Sequence, residues 1–169
     1  YKPGRDTINR LKQQVSLYDR HIKQIEVNIL SLLKSDLQIW GKIENILPVK
    51  GIGIMTIARV LAETDAFALI RNGKQLTSYA GLDVVLKESG KSRGKTVISK
   101  KGNHHLRQAV YMPAISAIKS NKNMKTYYDR MLERGKPKKA GVVAIARKLL
   151  LLIYYLWSNE TPYDPAYSA

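Results

Sequence analysis

Ser78-Tyr-Ala-Gly-Leu-Asp-Val-Val-Leu-Lys-Glu-Ser-Gly-Lys-Ser-Arg-Gly-Lys-Thr-Val-Ile-Ser-Lys-Lys-Gly-Asn-His-His-Leu-Arg107 interrupts a chain that is otherwise patterned as helix. Its two β-branched or apolar runs, Val84 to Leu86 and Thr96 to Ile98, flank a basic stretch rich in glycine and serine. Such runs on either side of turn residues predict a small β-hairpin or a pair of extended arms. The helical pattern resumes on both sides, so the expected fold is mainly α with one small extended insertion.

Moving outward, Lys74 to Ala80 reads as a helix ended by Gly81, and His104 to Ser120 as a longer one, with Pro113 as a kink. Further helices are expected over 54–63, Met124 to Arg134 and Ala140 to Trp157. The apolar residues of the last surround its axis almost completely, the mark of a central core helix. Leu47-Pro48-Val49-Lys50-Gly51-Ile52-Gly53 before the 54–63 helix has the form of a helix-hairpin-helix element. Two glycines permit a tight turn, and the following helix start offers free N–H groups to an anion, so Lys50, Gly51 and Gly53 are candidate phosphate contacts. A plain packing corner between helices fits the same residues.

Toward the N-terminus, Ile8, Leu11, Val15, Tyr18, Ile22, Ile25, Ile29 and Leu32 recur in steps of three and four. That spacing keeps them on one seam of a coiled-coil helix from about Thr7 to Lys34. Homo-oligomerisation through this seam, or an antiparallel pairing with another part of a longer chain, is expected. A short helix, Leu37 to Ile46, leads to the break at Pro48. The expected division is a coiled-coil and linker arm over 1–45 and a compact domain over 46–169.

With 169 residues of which 44% are apolar, the chain can bury a core. Lysine and arginine number 29 against 13 acidic residues, a net charge of +16, so the expected partner is a polyanion, DNA above all. The longest apolar run, Leu149 to Trp157, is too short to cross a bilayer and follows Arg147 and Lys148 directly, so no membrane partner is expected. Absence of cysteine excludes disulfides and thiolate metal sites and is compatible with the reducing cytoplasm where the protein is expected. Adjacent residues diverge on a helix, so His104 and His105 suggest no metal site. The acidic residues Asp65, Asp83, Glu88 and Asp129 are too scattered for two-metal chemistry.

The chemistry is concentrated in the opening stretch. Ser89, Ser92 and Ser99 are hydroxyl nucleophile candidates among Lys91, Arg93, Lys95, Lys100, Lys101 and Arg107. A serine attacking a phosphodiester needs its proton removed and the charge on phosphorus offset, and cations serve the second need. A solvated basic loop is the competing reading. A second basic zone, Lys119 to Lys139, adds Lys136 and Lys138 as nucleic-acid contacts, with Tyr127 and Tyr128 interleaved.

Five blocks carry a family resemblance: Gly51-Ile-Gly53, Ser78-Tyr-Ala-Gly-Leu82, Ser89-Gly90, Ile98-Ser-Lys-Lys-Gly-Asn103 and Arg134-Gly-Lys-Pro137. In this order they resemble the C-terminal transposase domain of the insertion-sequence family numbered one-ten, relatives of the Piv-type DNA invertases. The resemblance spans roughly residues 46–165. It implies that Ser89 is the recombination nucleophile, and that an RuvC-like domain, outside this sequence, binds magnesium through acidic residues. No cofactor is expected in the present residues. It further implies a guide RNA as partner. The alternative from a different class is a non-enzymatic helix-hairpin-helix module in which every serine is structural.

Overall fold

The computed structural model describes residues 3–166 apart from 86, 87, 90, 91 and 94–96, with residues 88, 89, 92 and 93 described by their backbone alone. Seven helices dominate: α1 (Arg5–Ser35), α2 (Leu37–Ile46), α3 (Ile54–Thr64), α4 (Gly73–Tyr79), α5 (His104–Ser120), α6 (Lys122–Glu133) and α7 (Lys138–Asn159). Four two-residue strands, β1 (Val84–Val85), β2 (Glu88–Ser89), β3 (Ser92–Arg93) and β4 (Val97–Ile98), lie between α4 and α5. The fold is mainly α with a small antiparallel insertion, as the sequence predicts. Leu86 and Thr96, expected to extend the two arms, lie outside the described residues.

The chain forms two compact units, Tyr1–Trp40 and Gly41–Ala169. The first is essentially α1, which buries none of its own residues. Its apolar seam is exposed except for the half-buried Ile29, from Ile8 at 38% exposed to Leu32 at 71%. Past α1, Asp36 starts α2 by accepting from the Gln38 and Ile39 amides, each at 3.0 Å.

In the second unit α7 is the helix against which α4, α5 and α6 pack, while α3 packs on α5. Ile145, Leu149, Leu150 and Ile153 of α7 are fully buried, as are Leu106, Val110, Ala114 and Ala117 of α5. Small residues on α5 admit close neighbours: a Cβ on Gly51, whose φ is +100°, would lie 2.6 Å from Ala117. By length and composition α7 is apolar enough to cross a membrane; in this fold it is the core helix. Pro113 lies inside α5, which continues on either side of it.

Two local features go beyond the sequence reading, which expects a turn at Thr64-Asp65 but not its form. Asp65, Ala66 and Phe67 all take positive φ, of 48°, 50° and 65°, so the α3–α4 connection starts as a left-handed turn of three non-glycine residues. Phe67 anchors it, buried edge-on against Tyr154 with centroids 5.3 Å apart. At the other end the chain folds back after α7 as a strap. The Tyr163 amide donates to the Asn45 carbonyl at 3.1 Å, and Asn123 Nδ2 donates to the Pro165 carbonyl at 3.0 Å. Lys42 pairs with Glu160 at 2.8 Å, and Asn121 Nδ2 donates to the Tyr163 hydroxyl at 3.3 Å.

Candidate nucleic-acid interface

The basic insertion is two nested ladders. Val84 pairs with Ile98 and Val85 with Val97 in the first; Glu88 pairs with Arg93 and Ser89 with Ser92 in the second. Two of the three candidate serines are thus backbone partners in the β2–β3 ladder. Lys91 and Lys95 lie outside the described residues.

The base of this insertion is closed by the two sequence blocks that flank it. Gly81 has φ +64°, and a Cβ there would meet Gly102 N at 2.6 Å and Arg107 Nη1 at 2.7 Å. A side chain on Gly102 would overlap the Tyr79 carbonyl oxygen. The two glycines therefore let the Ser78–Gly81 and Lys100–Asn103 backbones lie against each other. The Asn103 amide donates to the Tyr79 carbonyl at 2.7 Å and the Lys100 amide to the Gly81 carbonyl at 3.1 Å. Lys100 itself takes φ +56°.

Arg107 is half-buried here, and its Nη1 donates to the Ala80 carbonyl at 2.7 Å and the Gly102 carbonyl at 2.9 Å. Its guanidinium clamps the junction as well as carrying charge to it. Ser99 donates its hydroxyl proton to the Asp83 carboxylate, and its amide donates to the Asp83 carbonyl at 2.9 Å. Asn103 caps α5 by accepting from the Leu106 amide at 3.1 Å. Its Nδ2 donates to Glu63 Oε2 at 2.8 Å, while the Tyr79 hydroxyl donates to the Glu63 carbonyl at 3.1 Å. Glu63 and Asp83 are the groups that sequence reasoning missed. Asp83 follows directly on the Ser78–Leu82 block, a usable signal; Glu63 meets its partner across 40 residues and has no local one.

The remaining candidates lie at two other places. At the α2–α3 corner, Lys50 and Gly53 are exposed, and a Cβ on Gly53 would meet nothing within 4 Å. Gly53 precedes α3 without a side-chain cap; the Thr56 and Ile57 amides both return to its carbonyl, leaving those of Ile54 and Met55 for solvent or an anion. Gly51, by contrast, is spent on packing against Ala117. Ten residues of α5 separate that contact from Arg107, about 15 Å at the helical rise. At the α6–α7 turn, Lys136 and Lys138 flank Pro137 and are exposed, with Arg134 and Lys139 beside them. Tyr127 is only partly open and carries the Lys148 ammonium 5.0 Å above its ring, and Tyr128 packs on Gly141.

Among the described residues no three His, Asp or Glu side chains are grouped to hold a metal ion. The expectation that His104 and His105 diverge is corrected by their rings, which stack with centroids 3.8 Å apart. At the very start of α5 both imidazoles are exposed and free to turn toward each other.

Residues 43–129, the α2–α3 corner through the insertion to the middle of α6, match the model of the IS116/IS110/IS902 transposase family. The chain belongs to this family. Its similarity extends to a 42 kDa protein of insertion element IS900 from Mycobacterium paratuberculosis, 27% identical over 94% of this chain and 39% of the relative. A pilin gene-inverting protein of Moraxella bovis is 30% identical over 85% of this chain and 45% of that protein. A probable family 20 transposase of Pseudomonas aeruginosa is 25% identical over 96% and 48% respectively. The chain thus spans less than half the length of these curated relatives.

Proposed function

We propose that this chain is the DNA-holding, serine-bearing part of a cytoplasmic transposase or site-specific recombinase. The observation that carries the reading is the junction at Gly81, Gly102 and Arg107, which holds the basic insertion at its root within the segment matched to the transposase family. In this reading Ser89 is the nucleophile. Its Oγ loses a proton and bonds to a DNA phosphorus as the bond from that phosphorus to one strand breaks, releasing a strand hydroxyl. Reversal by a different strand hydroxyl re-forms the diester and frees the serine, so no nucleotide cofactor is consumed. Lys91, Arg93, Lys95, Lys100, Lys101 and Arg107 are the cations that offset charge on the five-coordinate phosphorus.

The α2–α3 corner acts as a helix-hairpin-helix phosphate contact through Lys50, Gly53 and the open amides of α3, which fixes position on the duplex without reading sequence. Lys136 and Lys138 add a further backbone contact. The seam of α1 pairs as a coiled coil with a second copy or with another helix of the longer protein. Among the described residues no acidic cluster fits magnesium, and in this reading a guide RNA is a further partner of the longer protein.

A second reading of the nucleophile rests on Ser99, whose hydroxyl proton already points at Asp83. A carboxylate so placed is a general base for that serine. Both readings, and the non-enzymatic module, are separated by denaturing a reaction of the full-length protein with cognate DNA and digesting it to nucleotide-bearing peptides. Adduct on the Ser89 peptide is expected. Adduct on Ser99 moves the chemistry to the Asp83 pair, and recombination without any adduct leaves this chain as a DNA-holding module.

A further inference from the structure

Beside the root of the insertion lies an open groove of about 480 Å3 lined by Gln75, Ser78, Tyr79, Lys101, Gly102 and Asn103. That volume is in the range of small-ligand sites, and its lining sets one aromatic ring and one cation among polar side chains and a glycine. Tyr79 is 43% exposed although it is held at two points, its hydroxyl on the Glu63 carbonyl and its own carbonyl on the Asn103 amide. An uncovered aromatic ring whose position is already fixed loses little freedom when a second ring stacks on it. Lys101 is exposed and has no ion pair among the described residues. The floor is Gly102, which no larger residue can replace without overlapping Tyr79, so the groove stays open. Gln75 is tied back, accepting from the Arg71 amide at 2.8 Å and donating to the Leu69 carbonyl at 3.1 Å, which leaves Ser78 as the hydroxyl facing a ligand.

An aromatic wall with a cation across a bare backbone floor suits a base and its phosphate. In a duplex both faces of each base are covered by neighbours, so only an unpaired nucleotide offers a face to Tyr79. We propose that this groove holds one unpaired DNA nucleotide, its base stacked on Tyr79 and its phosphate on Lys101. The assignment rests on the nucleic-acid reading above and says where along the bound DNA a strand is single.

The test measures binding of this chain to fluorescently labelled oligo-dT, oligo-rU and a duplex, for the wild type, Tyr79→Leu, Tyr79→Phe and Lys101→Gln. Tyr79→Leu is expected to weaken oligo-dT binding about tenfold and leave duplex binding unchanged, while Tyr79→Phe, which keeps the ring, stays within about twofold of wild type. Equal losses on oligo-dT and duplex, or none, overturn the groove. A larger loss on oligo-rU than on oligo-dT overturns its assignment to DNA. Should Tyr79→Leu fail to fold, photo-crosslinking of the wild type to an iododeoxyuridine oligonucleotide decides: adduct on Tyr79 supports the site, and adducts only elsewhere sink it. A wild type that binds none of the three probes defeats the nucleic-acid reading itself, whereas binding indifferent to Tyr79 defeats the groove alone.

Discussion

At the scale of single residues, the backbone separates positions that look alike in the sequence. Gly51 and Gly53 sit two apart in one motif, yet only Gly51 has positive φ and only Gly51 is pressed against Ala117. Gly51→Ala is therefore expected to cost about 2–4 kcal/mol through strain and overpacking, read as a loss of thermal stability. The opposite sign is expected in the left-handed turn. Ala66→Gly removes a conformational penalty of about 1–2 kcal/mol and adds unfolded-state entropy worth about 0.5–1 kcal/mol. The net gain is a rise of roughly 0.5 kcal/mol in denaturant unfolding, and an unchanged midpoint would show that Phe67 imposes no strain on its neighbour. The sequence marks a turn at Thr64-Asp65, but nothing in Thr64-Asp65-Ala66-Phe67 announces three successive left-handed residues. It is dictated by where Phe67 must go to meet Tyr154, a contact 87 positions away in the chain.

Elements were more legible than residues. The seam from Ile8 to Leu32 placed α1 to within a few positions of Arg5–Ser35, because one spacing of three and four repeats along the whole helix. Shorter elements depended on caps. α6 begins at Lys122, ahead of the expected Met124, because the Asn121 side chain accepts from both the Asn123 and Met124 amides. The extended insertion could be placed from its β-branched runs, but the closure of its root by Asp83, Ser99 and Glu63 could not, since each contact spans 16 or 40 residues. For α1 the expectation is direct. Deleting residues 1–36 should lower the number of copies per particle read by light scattering while leaving the unfolding midpoint of the Gly41–Ala169 unit in place; an unaltered number of copies would mean the seam is not where two copies of this chain pair.

Across the whole molecule, 16 more positive than negative charges have to be distributed somewhere. Two of the exposed lysines, Lys50 at the α2–α3 corner and Lys136 at the α6–α7 turn, are candidate points on one duplex path. If the duplex runs across both, Lys50→Gln and Lys136→Gln each reduce the slope of log affinity against log salt by about one unit. A substitution that leaves the slope alone marks a corner the DNA does not touch.

The position of α7 adds a matter of timing. The helix on which α4, α5 and α6 rest is the last to be made, and the strap that ties Tyr163 to Asn45 comes later still. At about 5–20 residues per second of synthesis, the 102 residues between Ser35 and Lys138 take roughly 5–20 s. For that interval α1 is complete while the helices behind it lack their centre. A nascent chain therefore presents the exposed seam of α1 for some seconds before the unit that carries the transposase-family segment exists as a folded object.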